Sequence, residues 1–134
     1  GNRGLWAKSY MYEDSVGVPL IAAGPGIGLG QVVDTPTNLV DVHATVLDVL
    51  GVADDAPGES LRTRARGDSP DRVGFSEYHD GGSPTAIYAL RFDRWKYICH
   101  YGERPELYEM VDDPEDAGLD PGGEAELPHE EQVP

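Results

Sequence analysis

The pattern of hydrophobic and polar positions changes about halfway along the chain. In the first half, residues 18–23 form a short, almost continuous apolar run that is followed by a Gly-Pro-Gly turn. Such a run predicts a strand buried on both faces, as in the parallel sheet of an α/β protein. Apolar residues next recur at three- and four-residue spacing over residues 38–50, which predicts one amphipathic helix. Asn38 or Asp41 can cap the start of this helix, and Gly51 is a C-terminal stop.

The second half predicts a small antiparallel sheet. Residues 53–72 are rich in Asp, Gly, Pro, Ser and Arg and have no apolar period, so they predict an exposed loop. Four closely spaced segments rich in aromatic and β-branched residues then predict four strands: 73–78, 86–92, 95–101 and 107–110. Asp93-Arg94 predicts a tight hairpin between the second and third strands. In the third strand, alternation separates Trp95, Tyr97, Cys99 and Tyr101 on one face from Lys96, Ile98 and His100 on the other.

The net charge of −15 is concentrated near the end of the chain, because residues 103–134 carry 12 acidic residues and one basic residue. A field of this sign repels phosphate backbones and anionic lipids, which argues against nucleic-acid and membrane-surface binding. Asp113-Pro114 predicts a helix start with an acidic first turn, and residues 120–134 predict an acidic tail. Only two of the ten basic residues are lysines. A halophilic (archaeal) origin and a mesophilic protein with an acidic tail both explain this balance.

Cysteine and histidine usage excludes several kinds of site. A single cysteine, Cys99, rules out an internal disulfide framework and a multi-cysteine metal site. The four histidines lack the spacing of a helical metal pair, and the glycines of residues 24–30 do not complete a nucleotide-binding pattern. No apolar run approaches the ~20 residues of a membrane span, and no secretory signal opens the chain. The chain begins at Gly1 without methionine, which predicts that it belongs to a longer protein.

Two residues are candidates for chemistry on physical grounds. Lys8 lies between Trp6 and Tyr10, just ahead of the predicted buried strand. A compact ammonium group at such a place is suited to an oxyanion, and a plain surface lysine is the alternative. His79 lies where a predicted strand enters a Gly-rich loop, a common location for ligand-contacting side chains. A structural histidine is the alternative there.

The start of the chain resembles a segment of the type I sulfatases, which belong to the alkaline phosphatase superfamily. Residues 1–21 read GNRGLWAKSYMYEDSVGVPLI, similar to the family's G-x-x-G-L-W-x-K-x-x-x-Y/F-E-x-S-x-x-V-P-L-I. Further similar motifs follow in order: A-G-P-G at 23–26, L-V-D-V and T-V-L-D within 39–48, R-W-K-Y-I at 94–98, and L-Y-E with D-P-E within 107–115. The ordered set covers about residues 1–119. Small departures are Ala44, where the family often has Pro, and Gly118, where it usually has Asn.

The resemblance implies an alkaline-phosphatase-like α/β fold, a large α/β sandwich followed by a small C-terminal antiparallel four-stranded sheet with a helix. In this interpretation residues 1–72 are the incomplete C-terminal edge of the catalytic α/β domain. Residues 73–119 are the small antiparallel subdomain, and residues 120–134 are an acidic tail. The missing N-terminal catalytic portion is then an expected partner.

The resemblance also implies a chemistry. Sulfatases hydrolyse sulfate monoesters with a formylglycine made from a C/S-x-P-x-R motif and with a calcium ion whose last ligands lie in a D-H/N-G motif. Neither motif is present, and Cys99 precedes His100-Tyr101, so the nucleophile and all metal ligands are expected upstream. Lys8 matches the family's sulfate-contacting lysine and is expected to be catalytic and substrate-binding. Glu77-Tyr78-His79 resembles a run of choline-sulfatase-like members, so His79 is expected to bind substrate.

Three functions remain open at this point. The first is the C-terminal part of a sulfatase acting on a small-molecule or carbohydrate sulfate ester, inactive as an isolated fragment. The second is a phosphonate monoester or phosphodiester hydrolase of the same superfamily. The third is a non-catalytic remnant that only packs or oligomerises. The compartment, with the cytoplasm slightly favoured, and the oligomeric state stay open as well.

Overall fold

The structure, a computed structural model, describes residues 10–53, 55, 57–67, 72–79 and 85–115. Within these ranges three helices precede four strands. The helices are α1 (Glu13–Val16), α2 (Leu39–Leu50) and α3 (Leu61–Arg64), and the strands are β1 (Gly74–Tyr78), β2 (Ile87–Phe92), β3 (Trp95–His100) and β4 (Glu106–Glu109).

The four strands form one antiparallel sheet in the order β1-β2-β3-β4. This confirms the predicted sheet, with strand ends that agree to within about one residue. Asp93 and Arg94 form the turn between β2 and β3, where Asp93 adopts a left-handed φ of 46°. Aspartate tolerates that conformation because its short side chain bonds locally. Arg94 donates a hydrogen bond to the Glu109 carboxylate, and the backbone N–H of Asp112 donates another. These two hydrogen bonds lower the pKa of Glu109 to about 2.

Helix α2 also follows its prediction. Asn38 is the N-cap, and its backbone N–H donates to Asp41 Oδ2 at 2.8 Å, so both predicted capping residues take part. The helix ends at Gly51, whose φ of 68° is the left-handed conformation that glycine adopts freely. Asn38 Oδ1 accepts from the backbone N–H of Phe75 at 2.9 Å and thereby joins the start of the helix to β1.

The core lies between one face of the sheet and the segment of residues 10–17, called here the entry segment. Its buried hydrophobic residues are Met11, Ile87, Ala89, Ile98, Tyr108 and Met110. On β3 the buried face is the one that carries Lys96, Ile98 and His100, so the aromatic face with Trp95 and Tyr97 is the outer one. A lysine and a histidine therefore lie inside, where aromatic residues would be the simpler choice.

The prediction of a buried strand at residues 18–23 is wrong for this chain. These residues are assigned to no strand, and Val18, Leu20 and Ile21 are 55, 47 and 91% exposed. A strand needs a neighbouring strand to bond its backbone. Within the described residues, β1 to β4 pair only with one another, which leaves this apolar run without a sheet to join.

The prediction that residues 53–72 are simply an exposed loop is also wrong in part. Ser60 Oγ accepts from the backbone N–H of Arg62 at 3.3 Å and caps the one-turn helix α3. Arg64, in this helix, is only 3% exposed and donates to Asp41 Oδ2 at 2.9 Å. A charge pair with α2, rather than an apolar period, folds this segment onto the protein.

Two further predictions lie largely outside the described residues. The helix expected from Asp113 is described only as far as Glu115, and Pro114 and Glu115 lie in a turn. The acidic tail of residues 120–134 is not described.

Candidate functional site

Lys8 lies outside the described residues, and the description begins two positions later, at Tyr10. The ring of Tyr10 lies 6.5 Å, centroid to centroid, from that of His100. His100 pairs across the sheet with Ile87, which pairs with Tyr78. The entry segment therefore meets the sheet where β1 ends, β2 begins and β3 ends.

His79 follows Tyr78 directly and so lies at the same end of the sheet. Its ring packs edge-on against Tyr88 with centroids 5.2 Å apart, and its Nε2 lies 3.6 Å from Glu77 Oε2. The side chain is 47% exposed, so a ligand can reach it. Tyr88 alternates with the buried Ile87 and Ala89, which puts His79 beside the outer face while Tyr10 packs on the inner one. Tyr10 and His79 thus share an end of the sheet but not a face.

The entry segment is held on the sheet by a polar cluster around Glu106, which the sequence analysis missed. Tyr12 Oη donates to Glu106 Oε1 at 3.2 Å, and Tyr108 Oη donates to Glu106 Oε2. His100 Nε2 lies 3.4 Å from Glu106 Oε1. The rings of Tyr12 and Tyr108 pack edge to face at 6.4 Å, so hydrogen bonding and aromatic packing act at the same place.

An ion pair between a buried lysine and a partly exposed glutamate lies further along the entry segment. Lys96 Nζ is 2.7 Å from Glu13 Oε1, and Lys96 is 1% exposed. Sequence analysis noted Lys96 only as part of a motif and as a member of one strand face. The sequence does carry one signal of this pair: alternation puts Lys96 on the same strand face as the apolar Ile98. A charged residue on a face that becomes buried requires a partner.

A second charge cluster surrounds Asp41, which is fully buried in α2. Its two carboxylate oxygens accept four hydrogen bonds: from the backbone N–H of Asn38 and of Glu59, and from the guanidinium groups of Arg64 and Arg72. The carboxylate thus joins α2, α3 and the residue that leads into β1. Because its acceptor sites are taken by protein groups, Asp41 is a structural anchor rather than a binding group.

Other predicted features can be placed more briefly. Cys99 is a half-buried free cysteine on the outer face of β3, and His43 is exposed on α2. In the ranges that the structure describes, no group of three or more His, Cys, Asp or Glu side chains could hold a metal ion. These residues therefore do not fit the calcium ion that the family implies. None of the described helices is long and apolar enough to cross a bilayer.

Comparison with known proteins identifies the family. The model of the family described as N-sulphoglucosamine sulphohydrolase, C-terminal, matches residues 1–119. The chain belongs to the sulfatases. The predicted recognition as a C-terminal sulfatase portion is thereby confirmed, and the match includes the part of the chain that carries Lys8.

Curated relatives agree with this family. The sulfatase chain is 34% identical over 123 residues to arylsulfatase K of Mus musculus, and 34% identical over 119 residues to a choline-sulfatase of Rhizobium meliloti. These alignments cover 81% and 85% of the chain but only 22% and 23% of the two relatives. The chain thus spans less than a quarter of the length of the curated relatives that it matches.

Solved structures show the same fold. The chain resembles a crystal structure of a Bacteroides thetaiotaomicron protein assigned to the sulfatases, with a TM-score of 0.59 and 30% identity over 72% of this chain and 23% of that one. Another neighbour is a protein in complex with its substrate D-glucosamine-2-N,6-O-disulfate, with a TM-score of 0.50 and 25% identity over 59% and 18% of the two chains. The four-stranded sheet with its helix is consistent with the predicted alkaline-phosphatase-like α/β class.

Proposed function

We propose that this chain is the C-terminal portion of an enzyme that hydrolyses sulfate monoesters and that it contributes Lys8 and part of the substrate pocket. The observation that carries the proposal is the family match over residues 1–119, which includes the Lys8 motif. The nucleophile, a formylglycine, and the calcium ligands would lie in the preceding part of the enzyme. The sequence has no C/S-x-P-x-R motif, and the described residues include no group that could hold a metal ion.

The exposed apolar surface of the chain supports the proposed division into parts. Residues 1–72 would be the edge of the large α/β domain, residues 73–119 the small subdomain and residues 120–134 a tail. Support comes from the unpaired run at 18–23 and from α2, which exposes Leu39, Val46, Val49 and Leu50. Apolar surface of this extent is typical of a face that another part of a protein covers. The preceding catalytic portion is the proposed partner for it.

Lys8 would act on the charge of the reacting group. Cleavage of a sulfate ester places negative charge on the sulfate oxygens and on the leaving oxygen, and a fixed ammonium group lowers the energy of that state. Lysine suits this task because its charge is compact and directed by three N–H donors. Tyr10, two residues after Lys8, packs on His100 at the end of the sheet where His79 lies. This contact supports the proposal that the chain holds Lys8 near that end.

The proposed substrate is a small-molecule or carbohydrate sulfate ester. One structural neighbour is bound to a sulfated glucosamine, and one relative is a choline-sulfatase, which supports this class. His79 would line the pocket, since it is exposed and its imidazole can donate to a sulfate oxygen or a sugar hydroxyl.

Turnover assays test the proposed function. The full-length enzyme that contains this chain is expected to hydrolyse 4-nitrophenyl sulfate, whereas the 134-residue chain alone is expected to give no turnover because it holds no nucleophile. Preferential hydrolysis of bis(4-nitrophenyl) phosphate or of a phenyl phosphonate ester by the full-length enzyme would favour a phosphodiester or phosphonate hydrolase instead. Hydrolysis of 4-nitrophenyl sulfate by the isolated chain would contradict the proposal that the nucleophile lies in the preceding part of the enzyme.

Replacement of His79 by alanine tests the pocket. We expect His79→Ala to raise KM for the sulfate ester about tenfold, the effect of about one lost hydrogen bond to a charged group, with kcat changed less than about twofold. Steady-state kinetics of the full-length enzyme measure this. His43→Ala, which removes an exposed histidine on α2, is the matched control and should leave both constants unchanged. An unaltered KM in His79→Ala would remove His79 from the pocket.

A further inference from the structure

We propose that Tyr88 is a positioning residue for His79. Its ring holds the imidazole of His79 in one orientation, so that the histidine meets the substrate already ordered. Both residues lie in the part of the chain that the structure describes. The inference rests on the proposed sulfatase function, because it concerns the histidine that would line the substrate pocket.

The pairing of β1 with β2 brings the two rings together. Tyr88 lies directly across from Glu77, so Phe75 and, one residue beyond the strand, His79 lie on its two diagonals on the outer face. Phe75 is nearly parallel to Tyr88, with centroids 6.4 Å apart, and His79 meets Tyr88 at an interplanar angle of 74°, with centroids 5.2 Å apart. Tyr88 is thus the middle ring of three in a row that ends at His79.

The other end of this row is fixed to the rest of the protein. The backbone N–H of Phe75 donates to Asn38 Oδ1 at 2.9 Å, which joins β1 to α2. Tyr88 itself lies between the buried Ile87 and Ala89, on a strand that is paired on both sides. Its backbone is therefore a fixed reference for a histidine that lies just past the end of β1.

His79 needs such a contact because its side chain is 47% exposed and follows the last paired residue of β1. An exposed side chain changes rotamer within about nanoseconds, and each rotamer points its N–H groups elsewhere. Glu77 Oε2 also reaches the imidazole, 3.6 Å from Nε2, but both side chains are about half exposed, and ion pairs of that kind contribute little. A packed pair of rings contributes more, so Tyr88 is the main constraint on the plane of the imidazole.

Ordering His79 in advance favours substrate binding rather than the chemical step. A side chain that already has its bound rotamer does not lose that freedom when the ester binds. The gain is equal in the bound substrate and in the transition state, so it lowers KM without raising kcat. Loss of the Tyr88 ring should therefore weaken binding through His79.

A double-mutant cycle in the full-length enzyme, with 4-nitrophenyl sulfate as substrate, tests the coupling. We expect Tyr88→Leu to raise KM about fivefold, the order of the cost of ordering one side chain on binding, with kcat changed less than about twofold. In the His79→Ala background the same replacement should change KM less than about 1.5-fold, because the residue through which it acts is gone. Tyr88→Phe keeps the ring and should have the KM of the wild type.

Tyr101→Leu is the matched control. It makes the same change at a tyrosine that is 77% exposed, directly after β3 at the same end of the sheet. We expect this variant to keep the KM of the wild type. A rise in KM comparable to that of Tyr88→Leu would mean that any exposed ring near this end has the same effect, and it would overturn a role specific to Tyr88.

The outcomes separate this inference from the proposed function. The positioning role, but not the place of His79 in the pocket, would be overturned by equal KM increases from Tyr88→Leu in both backgrounds or by wild-type kinetics in a folded Tyr88→Leu enzyme. A Tyr88→Phe enzyme as impaired as Tyr88→Leu would overturn it as well. Wild-type KM in His79→Ala would remove His79 from the pocket and this inference with it. If Tyr88→Leu does not fold, Tyr88→Val, which suits a strand, is carried through the same cycle with the same expected and contradicting results.

Discussion

Replacing Lys8 by alanine in the full-length enzyme should lower kcat/KM for an aryl sulfate by about 10²-fold or more. The reason is electrostatic, since the ammonium group would face oxygens whose negative charge grows as the ester bond breaks. Removal of one such preorganised donor typically costs about 10²–10³-fold in kcat. The effect should fall on kcat at least as strongly as on KM, because the interaction strengthens in the transition state. Steady-state kinetics with 4-nitrophenyl sulfate measure both constants.

A charge-matched control separates this local effect from the general field of an acidic protein. Arg104 is an exposed cation in the loop before β4, at the end of the sheet where Tyr10 packs on His100. Arg104→Ala removes one positive charge from the protein, as Lys8→Ala does, and should change kcat/KM less than about twofold. Similar losses in the two variants would mean that net charge, and not a contact with sulfate, explains the result. Unchanged kinetics in Lys8→Ala would refute the catalytic role outright.

The sequence predicts those parts of the fold whose hydrogen bonds are local. Helix α2 has its cap at Asn38 and its stop at Gly51 within its own span, and the β2–β3 hairpin is closed by adjacent residues at Asp93. Residues 18–23 show the limit of the same reasoning. An apolar run indicates that a segment is suited to burial. The segment forms a strand only where another strand can hydrogen-bond its backbone.

The contacts that organise the candidate site are long-range and could not be predicted from pattern. Lys96 and Glu13 are 83 residues apart, and Arg64 and Asp41 are 23 apart. No sequence periodicity connects such pairs. The sequence indicates only that a charged residue lies on a face whose other residues are apolar. Lys8 and His79 are candidates on physical grounds, and the resemblance to a family gives each of them a role. The structure adds that His79 is accessible and that the segment after Lys8 is held at the same end of the sheet.

The largest expected effect on stability is that of Asp41→Ala. Its carboxylate is fully buried and accepts from Arg64, which is itself 3% exposed. Removing one partner of a buried ion pair costs about 3–5 kcal/mol, and Arg64 would keep only the more distant Glu59, whose Oε2 lies 3.8 Å from its Nε. A domain of ordinary stability has only about 5–15 kcal/mol in total. Urea or thermal unfolding of the chain should therefore show a greatly lowered midpoint or no cooperative transition.

Two further variants identify the cause. Asp48→Ala removes an acidic residue from the same helix, but Asp48 is exposed and pairs with the partly exposed Arg62, so its midpoint should shift far less. The double variant Asp41→Ala with Arg64→Met should regain part of the lost stability, because the buried guanidinium that lost its main partner is then replaced by an apolar group. Recovery would mean that the buried charge of Arg64, rather than the lost helix cap, dominates the effect. If Arg64→Met restores nothing, or Asp48→Ala is as damaging as Asp41→Ala, the charge cluster is not what joins α2 to the segment that leads into the sheet.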